Sequence, residues 1–132
     1  MPPMARENPM KLTRLAYTQH PRPPQRDLRQ KGVFDSGGRI IGHVENIYVD
    51  DDRTFRFLGV AMRGGYFFSL QKHRLVPVEA TAEEDSGSIT LTVDQQTVES
   101  APTLGDPCSA PDEGLQRAVR EHFGLAAAPS EP

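Results

Sequence analysis

A chain of 132 residues suits a single domain. Its composition is spare, with 36% apolar residues, 12 Pro and 11 Gly, an apolar share below that of most compact domains. The net charge is −3, but residues 1–30 carry six Lys or Arg against two acids and residues 31–132 carry nine against sixteen, and a basic arm on an acidic body argues against a nucleic-acid reader.

Residues 1–30 hold Pro2, Pro3, Pro9, Pro21, Pro23 and Pro24 among Arg, Gln and Asn. That composition predicts a disordered, basic, Pro-rich arm, one that rests at most a few apolar side chains on the body. The periodic patch Met10–Tyr17 is too short for an independent helix.

The folded body is expected over 31–105. Lys31–Phe34 reads as a first short strand, ended by the turn-forming Asp35-Ser36-Gly37-Gly38. Ile40–Val49 is the next strand. Ile40, Gly42 and Val44 share one face while Ile47 and Val49 fall on the other, so a bulge near Glu45-Asn46 is expected to reset the register. Asp50–Arg53 makes another turn. Phe55–Met62 is apolar on both faces, so one face should line a core and the other lie under something else. Tyr66–Leu70 continues as a strand or as a wide loop. Leu75–Val78 is a further strand, with Pro77 suited to an edge or an end because it has no N–H to donate. Ala80–Gly87 reads as an acidic turn. Ser88–Val93 alternates cleanly, Ile89, Leu91 and Val93 inward and the Thr residues outward.

Asp94 is placed to cap one helical turn, Gln95–Ser100, stopped at Pro102. Residues 106–124 comprise a linker and an amphipathic helix, Pro111–Phe123, with Ser109 as a capping residue and Gly124 suited to the position beyond the end. Leu115, Val119 and Phe123 recur at intervals of four and form one apolar stripe, which must bury itself on its own body or on a second protein. The tail, 125–132, is expected to be disordered. A body of about 70 residues buries only roughly 60% of its unfolded surface, so marginal stability or help from a partner is expected.

Phe34-Asp35-Ser36-x-Gly38-x-Ile40-Ile41-Gly42-x-Val44-Glu45-x-Ile47-x-Val49-Asp50 resembles the opening of the PRC-barrel family. Phe57-Leu58-Gly59-Val60 and His73-x-Leu75-Val76-Pro77-Val78-Glu79 look like its continuation, and Thr92-Val93-Asp94-x-x-x-Val98-x-x-Ala101-Pro102 is similar to its close. The resemblance implies a mainly β fold: a small, strongly bent antiparallel β-barrel, here followed by a helical turn and a C-terminal helix. It also implies protein docking, often as a dimer or in a larger assembly. Members include the cytoplasmic part of the H subunit of bacterial photosynthetic reaction centres and the C-terminal half of a ribosome-maturation factor. The chain shows neither the membrane helix of the former nor the N-terminal barrel of the latter, so neither specific role is expected.

No catalytic motif is legible. Asp50, Asp51 and Asp52 cluster oxygens suited to a hard cation, but consecutive turn residues point apart and the spacing lacks the glycine and distal Glu of a calcium loop, so a solvated turn is favoured. His43 and Glu45 share a strand face, with Glu79 a neighbour to weigh, yet a transition-metal site needs further ligands converging there. His73 has no nucleophile to activate, and a structural hydrogen bond suits it better. Gly37-Gly38 and Gly64-Gly65 lack phosphate-cradle spacing. The single cysteine, Cys108, excludes an internal disulfide and points to a reducing compartment, and its acidic surroundings do not activate a thiol. Accordingly no enzyme activity, cofactor or metal is expected.

No window nears the roughly 18 apolar residues that cross a bilayer, and no secretory h-region is present. The expectation is a cytoplasmic protein whose basic arm at most touches an anionic membrane surface. Phe55, Phe57, Tyr66, Phe67 and Phe68 either plug the barrel and lie under the last helix or form a docking patch rimmed by Arg56 and Arg63. That patch, with Leu115, Val119 and Phe123, is the candidate interface for a protein partner or a second copy. RNA or ribosome association and small-ligand binding inside the barrel are the alternatives. The first rests on the basic arm alone, and the second is disfavoured because small barrels fill their interior with their own side chains.

Overall fold

A computed structural model describes residues 12–16, 27–62, 73–103 and 110–125. Seven strands form one sheet among these residues: β1 (Thr13–Arg14), β2 (Gly32–Phe34), β3 (Ile40–Val49), β4 (Phe55–Met62), β5 (His73–Pro77), β6 (Thr81–Glu84) and β7 (Ser88–Leu91). Two helices follow, α1 (Gln95–Glu99) and α2 (Glu113–His122). The spatial order is β5-β4-β3-β2-β7-β6, with β1 paired alongside the second half of β3. The outermost strands, β5 and β6, are consecutive in the chain and joined only by the 3-10 turn Val78–Ala80. Three residues cannot span an open six-strand sheet, whose strands lie about 4.8 Å apart, so the sheet must curl until its two edges meet at a corner. The result is a strongly bent half-barrel. All ladders are antiparallel except β2 with β7, which is parallel.

Bulges produce the curl. The expected bulge at Glu45 is present, since Val44 pairs with Val60 and Asn46 with Gly59. A second slip lies between β2 and β3, where Phe34 faces Ile40 and Val33 faces Gly42, leaving Ile41 unpaired. Together they bring Ile41, Val44, Ile47 and Val49 onto the inner side at spacings of three, three and two. Ile40, expected to share a face with Gly42 and Val44, is therefore turned out and 40% exposed. A third slip, opposite Arg56, puts Phe55 inside beside Leu58 and Val60 although it shares sequence parity with the outward Phe57. Gly42 is required by close approach, because a Cβ there would lie 2.2 Å from the Ala61 carbonyl oxygen of the neighbouring strand.

Three expectations need correction. Thr81–Glu84, read as a turn, is an edge strand paired with β7. Its residues 82–84 are exposed, so it carries no apolar alternation for a sequence pattern to detect. Residues 12–16 do not follow the disorder that composition implied. Thr13 and Arg14 pair with Val49 and Tyr48, and Leu12 and Leu15 are buried, two apolar anchors that outweigh the polar context. β7 also stops at Leu91, earlier than expected, and the chain bends so that Thr92 N–H reaches the Ala80 carbonyl and the Val93 carbonyl accepts from Ser36.

The helices begin and end for local reasons. Asp94 Oδ1 accepts from the Thr97 N–H at 2.9 Å and caps α1. Asp112, not the expected Ser109, caps α2 by accepting from Leu115 N–H at 2.9 Å; Ser109 lies outside the described residues. At the far end Gly124 takes φ +77°, its N–H reaching the Glu121 carbonyl while Leu125 N–H reaches that of Arg120. This is the paired closure that a left-handed glycine permits.

Candidate interaction surface

The sheet has two buried faces with different neighbours. Inside the curl, Val33, Val44, Ile47, Leu58, Val60 and Val76 are fully buried and pack with Ile41, Val49, Phe55, Ile89, Leu91 and Val98. On the outer side, Tyr48 from β3, Phe57 from β4 and Leu75 from β5 form a second cluster. Its cover comes from the two ends of the chain: Leu12 beside β1, and Val119 with the half-buried Leu115 and Phe123 of α2. Gly59 leaves the room this needs, because a Cβ on it would lie 3.2 Å from the Tyr48 ring.

Polar contacts fasten α2 at its rim. Arg120, nearly buried, donates from Nη1 to Glu79 Oε2 at 3.0 Å, tying the helix to the 3-10 turn between β5 and β6. His122 Nε2 donates to the Thr97 carbonyl at 2.8 Å and lies 3.2 Å from Ser100 Oγ, joining the C-terminal ends of the two helices. Gln116 Nε2 donates to the Pro111 carbonyl at the start of its own helix.

The structure thus places Phe55 in the inner core, Phe57 and Val119 in the outer cluster, Leu115 half-buried at its margin and Phe123 half-buried against both clusters. None of the five is an exposed docking residue in this arrangement, because the sheet and its own terminal segments need their apolar area. Tyr66, Phe67, Phe68 and Arg63 lie outside the described residues. Among those described, Ile40 is the one large apolar side chain that is exposed.

Of the other candidate groups, Glu45, His73, Glu79 and Asp50 hold the fold. Glu45 Oε1 and His73 Nε2 meet at 2.7 Å, reaching across β4 where Gly59 and Ala61 present the smallest side chains. His43, Ala61 and His73 lie in one row by register, but Glu79, the third group weighed with His43 and Glu45, pairs with Arg120 instead. Among the described residues no three His, Cys, Asp or Glu side chains are placed to hold a metal ion. Asp50 is the fastener of its own turn: Oδ1 accepts from the Asp52 and Thr54 N–H groups and Oδ2 from Arg56. Burial pulls its carboxyl up, and those donors outweigh burial and hold it below the ordinary value.

Sequence reasoning missed the role of Asp35. Its Oδ1 accepts from Gly37 and Arg39 N–H, both at 2.9 Å, and its Oδ2 from Gln95 N–H at 3.1 Å. One carboxylate therefore closes the β2–β3 turn, whose Gly38 has φ +86°, and satisfies an orphan donor of α1 sixty residues away. The Arg39 N–H is the strongest influence lowering its pKa, opposed by burial and helped by Gln95 and Gly37.

Among the described residues no helix is long and apolar enough to cross a membrane. In sequence, the family model described as PRC-barrel domain matches residues 24–98. No curated protein matches the chain. The matched stretch contains both faces of the sheet and stops short of the segments that cover the outer one, 12–16 and 110–125.

Proposed function

Because this chain belongs to the PRC-barrel family, whose model spans more than half of it, we propose that it works as a docking module, without enzymatic activity of its own, that associates with itself or with a larger assembly. The family is a general β-barrel module and is generally non-enzymatic. The observation that carries the reading is the filled interior. Six side chains on the inner face have no exposure at all, so the barrel supports an outer surface rather than a ligand chamber. Several acids and a histidine of the described residues fit the same picture: Asp35, Asp50, Asp94 and Asp112 hold turns or caps, and Glu45, His73 and Glu79 pair with neighbouring elements. RNA association keeps only the basic arm as its support, and the acidic body opposes it.

The test is light scattering on the full chain from micromolar to millimolar, together with affinity capture from its native cell. A mass above the monomer, or a stoichiometric protein partner, is the expected result. A monomer at every concentration that retains no partner would count against docking, and salt-sensitive binding to RNA would favour the other reading.

A further inference from the structure

The outer sheet face is an apolar surface that the matched domain builds and that segments beyond the match cover. Tyr48, Phe57 and Leu75 belong to residues 24–98, whereas Leu115, Val119 and Phe123 do not. We propose that this face is a receptor for an amphipathic helix, filled within the chain by α2, and that its occupant in an assembly is α2 of a second copy, exchanged across a dimer. The proposal rests on the docking reading above and names the surface and the partner for it.

Three observations argue for a second copy. The contacts that seat α2 run from the helix to the sheet, to the 3-10 turn and to α1. The stripe at intervals of four meets the apolar face, Arg120 meets Glu79, and His122 meets the Thr97 carbonyl. An identical helix from a neighbour satisfies every one of them, in shape and in charge, with no new chemistry. Second, eight residues, 102–109, lie between Ala101, buried in the body, and Ala110, packed in the outer cluster, and a chain of that length extends to about 26 Å, a span that lets α2 turn onto an adjoining barrel. Third, α2 has only ten residues, too few to be a stable helix alone. It is helical because it is docked, so a released helix gains by finding another face. Exchange of an element between identical protomers is a low-cost route to a dimer, since each contact is kept and only its chain of origin changes.

The first experiment uses the full chain carrying Val119→Asp, which puts a charge on the seated side of α2 and frees the face, and a labelled synthetic peptide of residues 110–125. The peptide should bind this variant at least about tenfold more tightly than it binds the wild type, where the tethered helix competes at high effective concentration. A folded variant that does not bind the peptide overturns the proposal. So does a variant that loses its β-sheet circular dichroism, because the helix would then be part of the core and not an occupant. Hydrogen exchange on the wild type gives an independent reading: α2 amides should exchange while those of β3 and β4 stay protected, and α2 exchanging only with the whole sheet would overturn it. For the second copy, a Glu79→Cys chain and an Arg120→Cys chain, both carrying Cys108→Ser, are mixed at high concentration and treated with a short bismaleimide. A cross-linked heterodimer, suppressed by excess peptide, is expected. Peptide binding without heterodimer assigns the face to another protein's helix and overturns the exchange. An assembly that persists in Val119→Asp leaves the docking reading standing and removes this face from it.

Discussion

The inner and outer faces of the same strands are buried to similar depth by different means. Leu58 and Phe57 are neighbours on β4, and neither is more than 2% exposed. Leu58 is covered mainly by the curl of the sheet, through strands and bulges that lie within the family match, with Leu15 and part of Phe123 added from outside it. Phe57 is covered by a two-residue strand and a ten-residue helix that lie outside it. A closed curl is cooperative, because removing one strand exposes the rest. A cover attached by its ends can open while the sheet stays whole. Burial by itself does not distinguish the two, and the source of the covering residues does.

Changes on the two faces should therefore fail differently. The largest effect is expected for Leu58→Ala, which opens a cavity inside the curl. Urea unfolding should show a loss of about 2–5 kcal/mol, in one transition shared by sheet and helix signals. Gly42→Ala comes next. Its Cβ has no space against the β4 backbone, and such overpacking costs about 1–3 kcal/mol, read as a lower urea midpoint with β3 and β4 amides losing protection together.

On the outer side, Leu115→Ala removes half-buried area worth about 1–2 kcal/mol. Hydrogen exchange in α2 should quicken while the urea midpoint of the sheet hardly moves, and a matching drop in both would erase the distinction between the faces. The smallest effect near neutral pH is expected for Asp35→Asn, which keeps one acceptor oxygen. Because the folded carboxyl titrates below its ordinary 3.8, its contribution is complete above that value and is lost as pH falls below it towards the folded value. Wild type should lose stability over that acid range, and Asp35→Asn should flatten the loss. Thermal melts from pH 5 to pH 2 would check it, and parallel curves would show that Asp35 carries none of the acid sensitivity.

Much of the fold was legible in the chain. Ile40–Val49 and Phe55–Met62 announced strands by their apolar runs, the parity break at Ile47 announced the bulge at Glu45, and Asp94 announced its helix. Those signals work because each depends on neighbours a few residues away. The slip at Ile41 was not legible, since it is imposed by the partner strand β2 and leaves no mark in the alternation. Nor was β6, whose exposed Ala82, Glu83 and Glu84 need only backbone pairing to form a strand. For the interaction surface, the helix stripe was legible as a stripe, but its seat on Tyr48, Phe57 and Leu75 was not.

The amino-acid order by itself determined the strand-rich body, the cap residues, the amphipathic helix and the membership of a barrel family, because these rest on local backbone chemistry and the spacing of apolar side chains. Tertiary structure alone decided that β2 and β7 run parallel, that Asp35 serves a helix sixty residues away, and that the aromatic and helical apolar residues face each other within one chain. Each of these is a choice among partners distant in sequence, and such choices are made by shape and by which polar groups remain unsatisfied when the sheet closes.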